Sequence, residues 1–138
     1  MRKKTLRFIV VVAMITIILS TAAFAAFTSS DYITATSAWI TREGDTVGVN
    51  FYIVGVGLMD KIGVKYVYLY ESGGNNWNLV KTYSYTDLAY ATTLMNTNST
   101  MKSGYLSYAG SATKNYYAVC YFYGEKNGGS DTIPQNAY

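Results

Sequence analysis

The chain has 138 residues with no histidine, one cysteine and one proline, and only 14% of it is charged. Each shortage excludes something. Without His there is no Ser-His-Asp or Cys-His pair, and the commonest zinc ligand is missing. Cys120 forms no intramolecular disulfide, and without His it has no base to activate it. Two readings of Cys120 stand: a small buried hydrophobe in a strand, or an exposed thiol that pairs two chains. Gly55-x-Gly57 and Gly73-Gly74 are turn glycines with no helix after them, so no phosphate-cradling loop is expected. The EF-hand pattern is absent. Asp45, Asp60, Asp87 and Asp131 are scattered through turn sequences, and Ca²⁺ held by several of them is the one metal arrangement left open. The expectation is therefore no catalytic residue, no cofactor and no metal.

Charge is unevenly placed. Arg2, Lys3, Lys4 and Arg7 are four of the eleven basic residues, and all eight acidic residues come later. Residues 26–138 thus carry seven basic and eight acidic side chains, a formal charge of −1. No Lys/Arg cluster remains to neutralise a phosphate backbone, so nucleic acid is not an expected partner.

What is there begins with an address. Met1 to Arg7 is a basic n-region, Phe8 to Leu19 is apolar apart from Thr16, and Ala23-Phe24-Ala25 supplies small residues at −3 and −1. This predicts a signal-peptide helix over residues 1–25, cleaved after Ala25. The apolar run is short for a span of roughly 20 residues, so an uncleaved anchor is the weaker reading. No Cys follows the cleavage site to carry a lipid, and Pro134 to Tyr138 shows no hydrophobic sorting tail. The expected product is extracellular and meets the membrane only through the signal peptide before cleavage.

All fifteen Tyr lie in residues 26–138, which are rich in Thr, Val and Gly, and this composition points to one β domain. Tyr116 to Tyr123 runs without a charge, Gly or Pro and reads as a central strand covered on both faces. Other strands are expected over 31–40, 46–54, 64–71, 77–83, 102–109 and 131–137, with Pro134 marking the last as an edge. In 46–54 the period-two face Val47, Val49, Phe51 and Ile53 belongs to the core. Residues 55–63 read as an irregular connection whose Leu58, Met59 and Ile62 plug one end of that core. In 64–71, Val67 and Leu69 face inward, leaving Tyr66, Tyr68 and Tyr70 as an outer stripe. Residues 84–100 are divided between a helical turn near Asp87 to Ala91 and loop or short edge strand. About seven short strands make an antiparallel β-sandwich the predicted fold.

Met59 to Gly63, Leu69 to Ser72, Trp77 to Thr82 and Tyr116 to Val119 resemble an uncharacterised family of small secreted proteins of Gram-positive bacteria. The resemblance covers nearly all of residues 26–138 and implies fold and export, but no activity. The layout is also similar to fibronectin type III and immunoglobulin-like domains. It departs from the antibody type in having no inter-sheet disulfide pair and Ala118 two before Cys120; Tyr117 or Tyr116 would then be the corner tyrosine.

The functional expectation is a non-catalytic extracellular binding or structural module with a glycan, cell-wall or protein partner. The alternative is a carbohydrate- or cell-wall-binding module in which Trp77, Tyr66, Tyr68, Tyr70 and Trp39 share an outer face with Asn50, Asn76 and Asn78. Rings stack on sugar C–H faces while amides meet hydroxyls. The competing reading of the same residues is cross-strand packing. A small hydrolase using two of Glu43, Glu71 and Glu125 is a third reading, since glycosidases need only paired carboxylates. Asn98-Ser99-Thr100 matches a glycosylation sequon.

Overall fold

A computed structural model of the chain describes residues 30–138; the predicted signal peptide and its cleavage after Ala25 lie outside the described residues. The elements are β1 (Ile33–Glu43), β2 (Thr46–Gly73), β3 (Asn76–Ser84), a helical turn α1 (Ala91–Leu94), β4 (Met95–Ala109), β5 (Tyr116–Lys126) and β6 (Gly129–Ala137). The protein is almost all β, and every pairing is antiparallel. The strand order is β1-β2-β5-β6, with β3 and β4 both paired to β2. The sheet curls into a half-barrel, and at one end the Ile40 N–H donates to the Tyr138 carbonyl at 3.1 Å.

β2 organises this sheet. Along one edge it pairs with β1 and then β5, and along the other with β4 and then β3. Two strands expected over 46–54 and 64–71 are therefore one 28-residue strand, and six strands replace about seven. The intervening glycines mislead because they serve close approach as well as turning. A Cβ on Gly55 would run into the Met59 side chain, and one on Gly63 into the Leu94 carbonyl. The strand keeps its ladder by bulging: Val54 faces Met101 and Met59 faces Ser99, so Gly55 to Leu58 loop out. Leu58 is consequently exposed, and the expected plug of the core is made by Met59 and Ile62, both fully buried.

β5 was expected to be central and covered on both faces. It lies inside the sheet, between β2 and β6, but Tyr117, Val119 and Tyr121 are only half-buried. One face of β5 meets the core; the other is the surface described below.

A second bulge settles the facing of the Tyr-rich segment. Val64 pairs with Phe122 and Tyr66 with Tyr121, which leaves Lys65 without an opposite residue. The extra residue lets both Val64 and Val67 point inward, where strict alternation would send one of them out. The core then gathers Val47, Val49, Phe51 and Ile53 from the first half of β2, Val64, Val67 and Leu69 from the second, and Ala118, Cys120 and Phe122 from β5. Cys120 is fully buried, and burial pushes its thiol up to about 12. Turn chemistry follows the sequence: Asn127 and Gly128 both take positive φ (52° and 80°), as a type I′ hairpin requires. Among the described residues β6 pairs only with β5, and it is the edge that Pro134 announced. The helical turn forms at residues 91–94, after the expected Asp87 to Ala91, and β4 starts at Met95, seven residues before its expected start at Lys102.

Candidate functional site

The outward side chains of β3, the second half of β2, β5 and β6 form one aromatic face. Across the β2–β5 ladder Tyr66 faces Tyr121, Tyr68 faces Val119 and Tyr70 faces Tyr117. Pairing at the ladder spacing brings these rings together. Tyr70 and Tyr117 stack with centroids 4.7 Å apart and planes within 6°. Tyr68 meets Tyr121 edge-on at 5.6 Å, and Tyr66 lies beside Tyr68 at 6.1 Å. β3 adds Trp77, whose ring stands at 88° to Tyr117 at 4.8 Å. Tyr138, just beyond β6, closes on Tyr117 from the other side at 6.1 Å.

Four of the five residues singled out from sequence are thus brought together: Tyr66, Tyr68, Tyr70 and Trp77. Trp39 is not. It faces Asn50 across the β1–β2 ladder, in the other half of the sheet. Both halves of β2 contribute inward residues to one core, so their outer faces point away from each other. The bend through residues 55–63 is the reason, and a reading that treats strands as flat neighbours misses it. Asn50 goes with Trp39, its amide donating to Thr41 Oγ1 at 3.0 Å. Trp39 remains 43% exposed without joining the row. Tyr117, Tyr121 and Tyr138 belong to the face and were not anticipated. Their signal was available: 117 and 121 have the parity opposite to Ala118, Cys120 and Phe122.

The face is uncharged. At the outward positions Tyr66, Tyr68, Tyr70 and Ser72 of β2, and at the positions paired with them on β3, β5 and β6, there is no Asp, Glu, Lys or Arg. Charge collects at the two ends of these strands, with Tyr123 and Glu125 on the outer side at one end and Tyr116 and Glu71 on the inward side at the other. At one end the Lys65 ammonium sits over the Tyr123 ring at 3.8 Å, Tyr123 donates to Glu125 at 2.5 Å, and Lys61 reaches Glu125 at 3.5 Å. The Tyr123 hydrogen bond, aided by Lys61, holds the Glu125 carboxyl below its ordinary value. At the other end Tyr116 donates to Glu71 at 2.5 Å and accepts from the Ser111 N–H at 2.8 Å. Arg42 lies 5.3 Å from the Tyr116 ring centre and donates to the Ser111 and Lys114 carbonyls.

The hydroxyls of Tyr83, Tyr116 and Tyr123 are engaged inside the chain, and Tyr138 accepts from Asn136. Among the described residues, those of Tyr66, Tyr68, Tyr70, Tyr117 and Tyr121 have no protein partner. Burial, with Tyr70 and Tyr138 close by, raises the Tyr117 hydroxyl above its ordinary value, so it stays a neutral donor. The face therefore offers apolar ring edges and free hydroxyls together.

Glu71 and Glu125 do not converge. Glu71 pairs opposite Tyr116 and Glu125 lies nine residues further along β5, a separation of roughly 30 Å at the strand rise. Each turn aspartate has its own local task. Asp45 accepts from the Ala112 N–H, Asp60 from Asn127, Asp87 from Ala89 and Asp131 from Ser30 and Asp31. Among the described residues no three His, Cys, Asp or Glu gather as a metal site. A shallow groove of about 490 Å³ beside α1, lined by Lys61, Tyr85, Thr92 and Asn96, brings no carboxylate with it.

Comparison of the chain with protein-family models, with curated proteins and with solved structures finds no match.

Proposed function

We propose that this chain is a secreted, non-catalytic binding module whose contact surface is the aromatic face of β3, β2, β5 and β6. The observation that carries this reading is the composition of that face: Trp and Tyr at its centre with no charge, and Lys65 with Glu125 at one end. Protein recognition surfaces share that anatomy. Export is supported by the basic, apolar and small-residue sequence before Ala26.

The finer fold reading is an immunoglobulin- or fibronectin-III-like sandwich, in keeping with the family of small secreted proteins that the sequence resembles. Two observations support it. The pairings divide into β1, β2 (46–55) and β4 on one side of the core, and β3, β2 (61–73), β5 and β6 on the other. Tyr116, at the start of β5, bonds through its hydroxyl to the backbone five residues upstream, as a tyrosine corner does. In this reading the first two core strands of the sandwich have fused into β2.

A second reading, a carbohydrate- or cell-wall-binding module, is favoured by Trp77, which is 48% exposed at the border of the face. Hydrolysis by Glu71 paired with Glu125 has less support, since roughly 30 Å far exceeds the 5–10 Å that glycosidases use. The test is binding of the purified protein to glycans, to peptidoglycan and to cross-linkable proteins on the producing cells, with Trp77→Ala and Tyr68→Ala alongside. The reading expects one of these partners to be retained and released by both variants while they stay folded. Retention that neither variant weakens would refute the face as the contact surface.

A further inference from the structure

We infer that the aromatic face takes a second copy of this chain, sheet against sheet about a two-fold axis. The inference rests on the face being the contact surface and names its partner.

Size is the first argument. The face is four strands wide and extends from Trp77 to Ser84 along β3. At 4.8 Å between strands and 3.4 Å per residue it covers roughly 450 Å² in projection. Trp77 is 48%, Tyr138 77% and Tyr66 37% exposed; at about 200 Å² per aromatic, these three alone leave roughly 300 Å² open to a partner. A single sugar ring would cover a small part of this. A standard interface needs about 800 Å² per partner, and rings that stand up from a sheet expose more than the projection. The match is to a protein surface, at the small end of the range.

Ring geometry is the second. Tyr70 and Tyr117, parallel at 4.7 Å, cover each other's faces. Their flat sides are closed to a sugar, and what they present outward is edges and hydroxyls. Edges interdigitate with a like set of edges, and each free phenol hydroxyl both donates and accepts, so two identical faces satisfy each other.

Charge is the third. A two-fold interface brings each residue near its own copy or a neighbour of it, so a charged patch would repel itself. This face has no charge at its centre. The charges bordering it on the outer side, Lys65 and Glu125 at one end, are of opposite sign. Tyr and Trp also lose little side-chain entropy on contact, which suits a small interface.

Sedimentation equilibrium of the purified protein over a concentration series tests this. The expected result is a reversible monomer–dimer equilibrium in the micromolar range. Tyr68→Lys puts a charge at the centre of both faces and is expected to weaken dimerisation at least about tenfold. Trp77→Lys, at the border where little is buried, is expected to act in the same direction, and keeps the test open if Tyr68→Lys unfolds. Ser103→Lys, on the outer face of the other half opposite Tyr52, is expected to leave it unchanged. A monomer at all concentrations up to about 1 mM would overturn the inference. So would a dimer weakened by Ser103→Lys and indifferent to Tyr68→Lys and Trp77→Lys. A monomer that still loses a glycan or foreign protein on Tyr68→Lys would overturn self-association while leaving the binding face intact.

Discussion

Replacing Tyr116 with Phe isolates the work of one hydroxyl. The ring is buried, stays in place in Phe, and keeps the Arg42 guanidinium over it. What is lost is the bond donated to Glu71 at 2.5 Å and the one accepted from the Ser111 N–H at 2.8 Å. A neutral hydrogen bond contributes about 1 kcal/mol net, and one to a charged group about 1.5–3 kcal/mol. Both sites are partly open to water, which offsets part of the loss, so about 2 kcal/mol is expected. The 110–115 loop also hangs on Asp45, which accepts from Ala112, and on Arg42, so the effect should stay local. Urea unfolding reads it as a lower midpoint at unchanged slope. For a domain of this size the melting temperature should fall by roughly 10 °C. Tyr66→Phe is the control, since that hydroxyl has no partner among the described residues, and it should change stability by less than about 0.5 kcal/mol. Equal effects of the two substitutions would refute the assignment of Tyr116 as the tie between β5, its loop and β2.

Three other perturbations bear on separate parts of the account. Gly63→Ala drives a Cβ into the Leu94 backbone carbonyl, with Met95 Cα 2.9 Å away; backbone yields little, so a loss of about 3 kcal/mol or more is expected in the same unfolding assay. Cys120, with its thiol pushed up to about 12 by burial, should stay unreactive to a thiol reagent at pH 8, react once urea is added, and form no disulfide dimer in non-reducing gels. Tyr83 donates to the Ser107 carbonyl at 2.9 Å, and burial raises its hydroxyl from 10.0 to about 12. The folded state then holds a proton that the unfolded state gives up above pH 10, so the stabilisation is complete below pH 10 and lost between 10 and 12. The size is on the order of 3 kcal/mol. Stability measured from pH 8 to 12 should fall more gently in Tyr83→Phe than in the parent chain.

Much of the fold could be read from local pattern. The alternation in 46–54 placed Val47, Val49, Phe51 and Ile53 in the core because a strand with one buried face must alternate. Pro134 was legible because a missing N–H is a local property. The continuity of β2 was not. Gly55, Gly57 and Gly63 look like a loop in sequence, and only the neighbouring Met59 side chain and Leu94 carbonyl show why two of them must lack a Cβ. The inward facing of both Val64 and Val67 depends on the Lys65 bulge, whose extra residue is visible only against β5. The candidate site divides in the same way. Tyr66, Tyr68, Tyr70 and Trp77 were found because three Tyr at period two beside a hairpin must share a face. Trp39 was wrongly joined to them because the curl of the sheet is a tertiary property, and Tyr117 and Tyr121 were passed over because their run lacks polar alternation.

The central claim is that the outer face of β3, β2, β5 and β6 is where this protein meets its partner. The most direct measurement is retention of purified protein on the surface of the producing cells, comparing Tyr68→Lys with Ser103→Lys, each confirmed folded by its near-ultraviolet circular dichroism. The account predicts that Tyr68→Lys is lost from the cells while Ser103→Lys is retained like the parent chain. Retention of Tyr68→Lys at the parental level, or loss of Ser103→Lys alone, would contradict it.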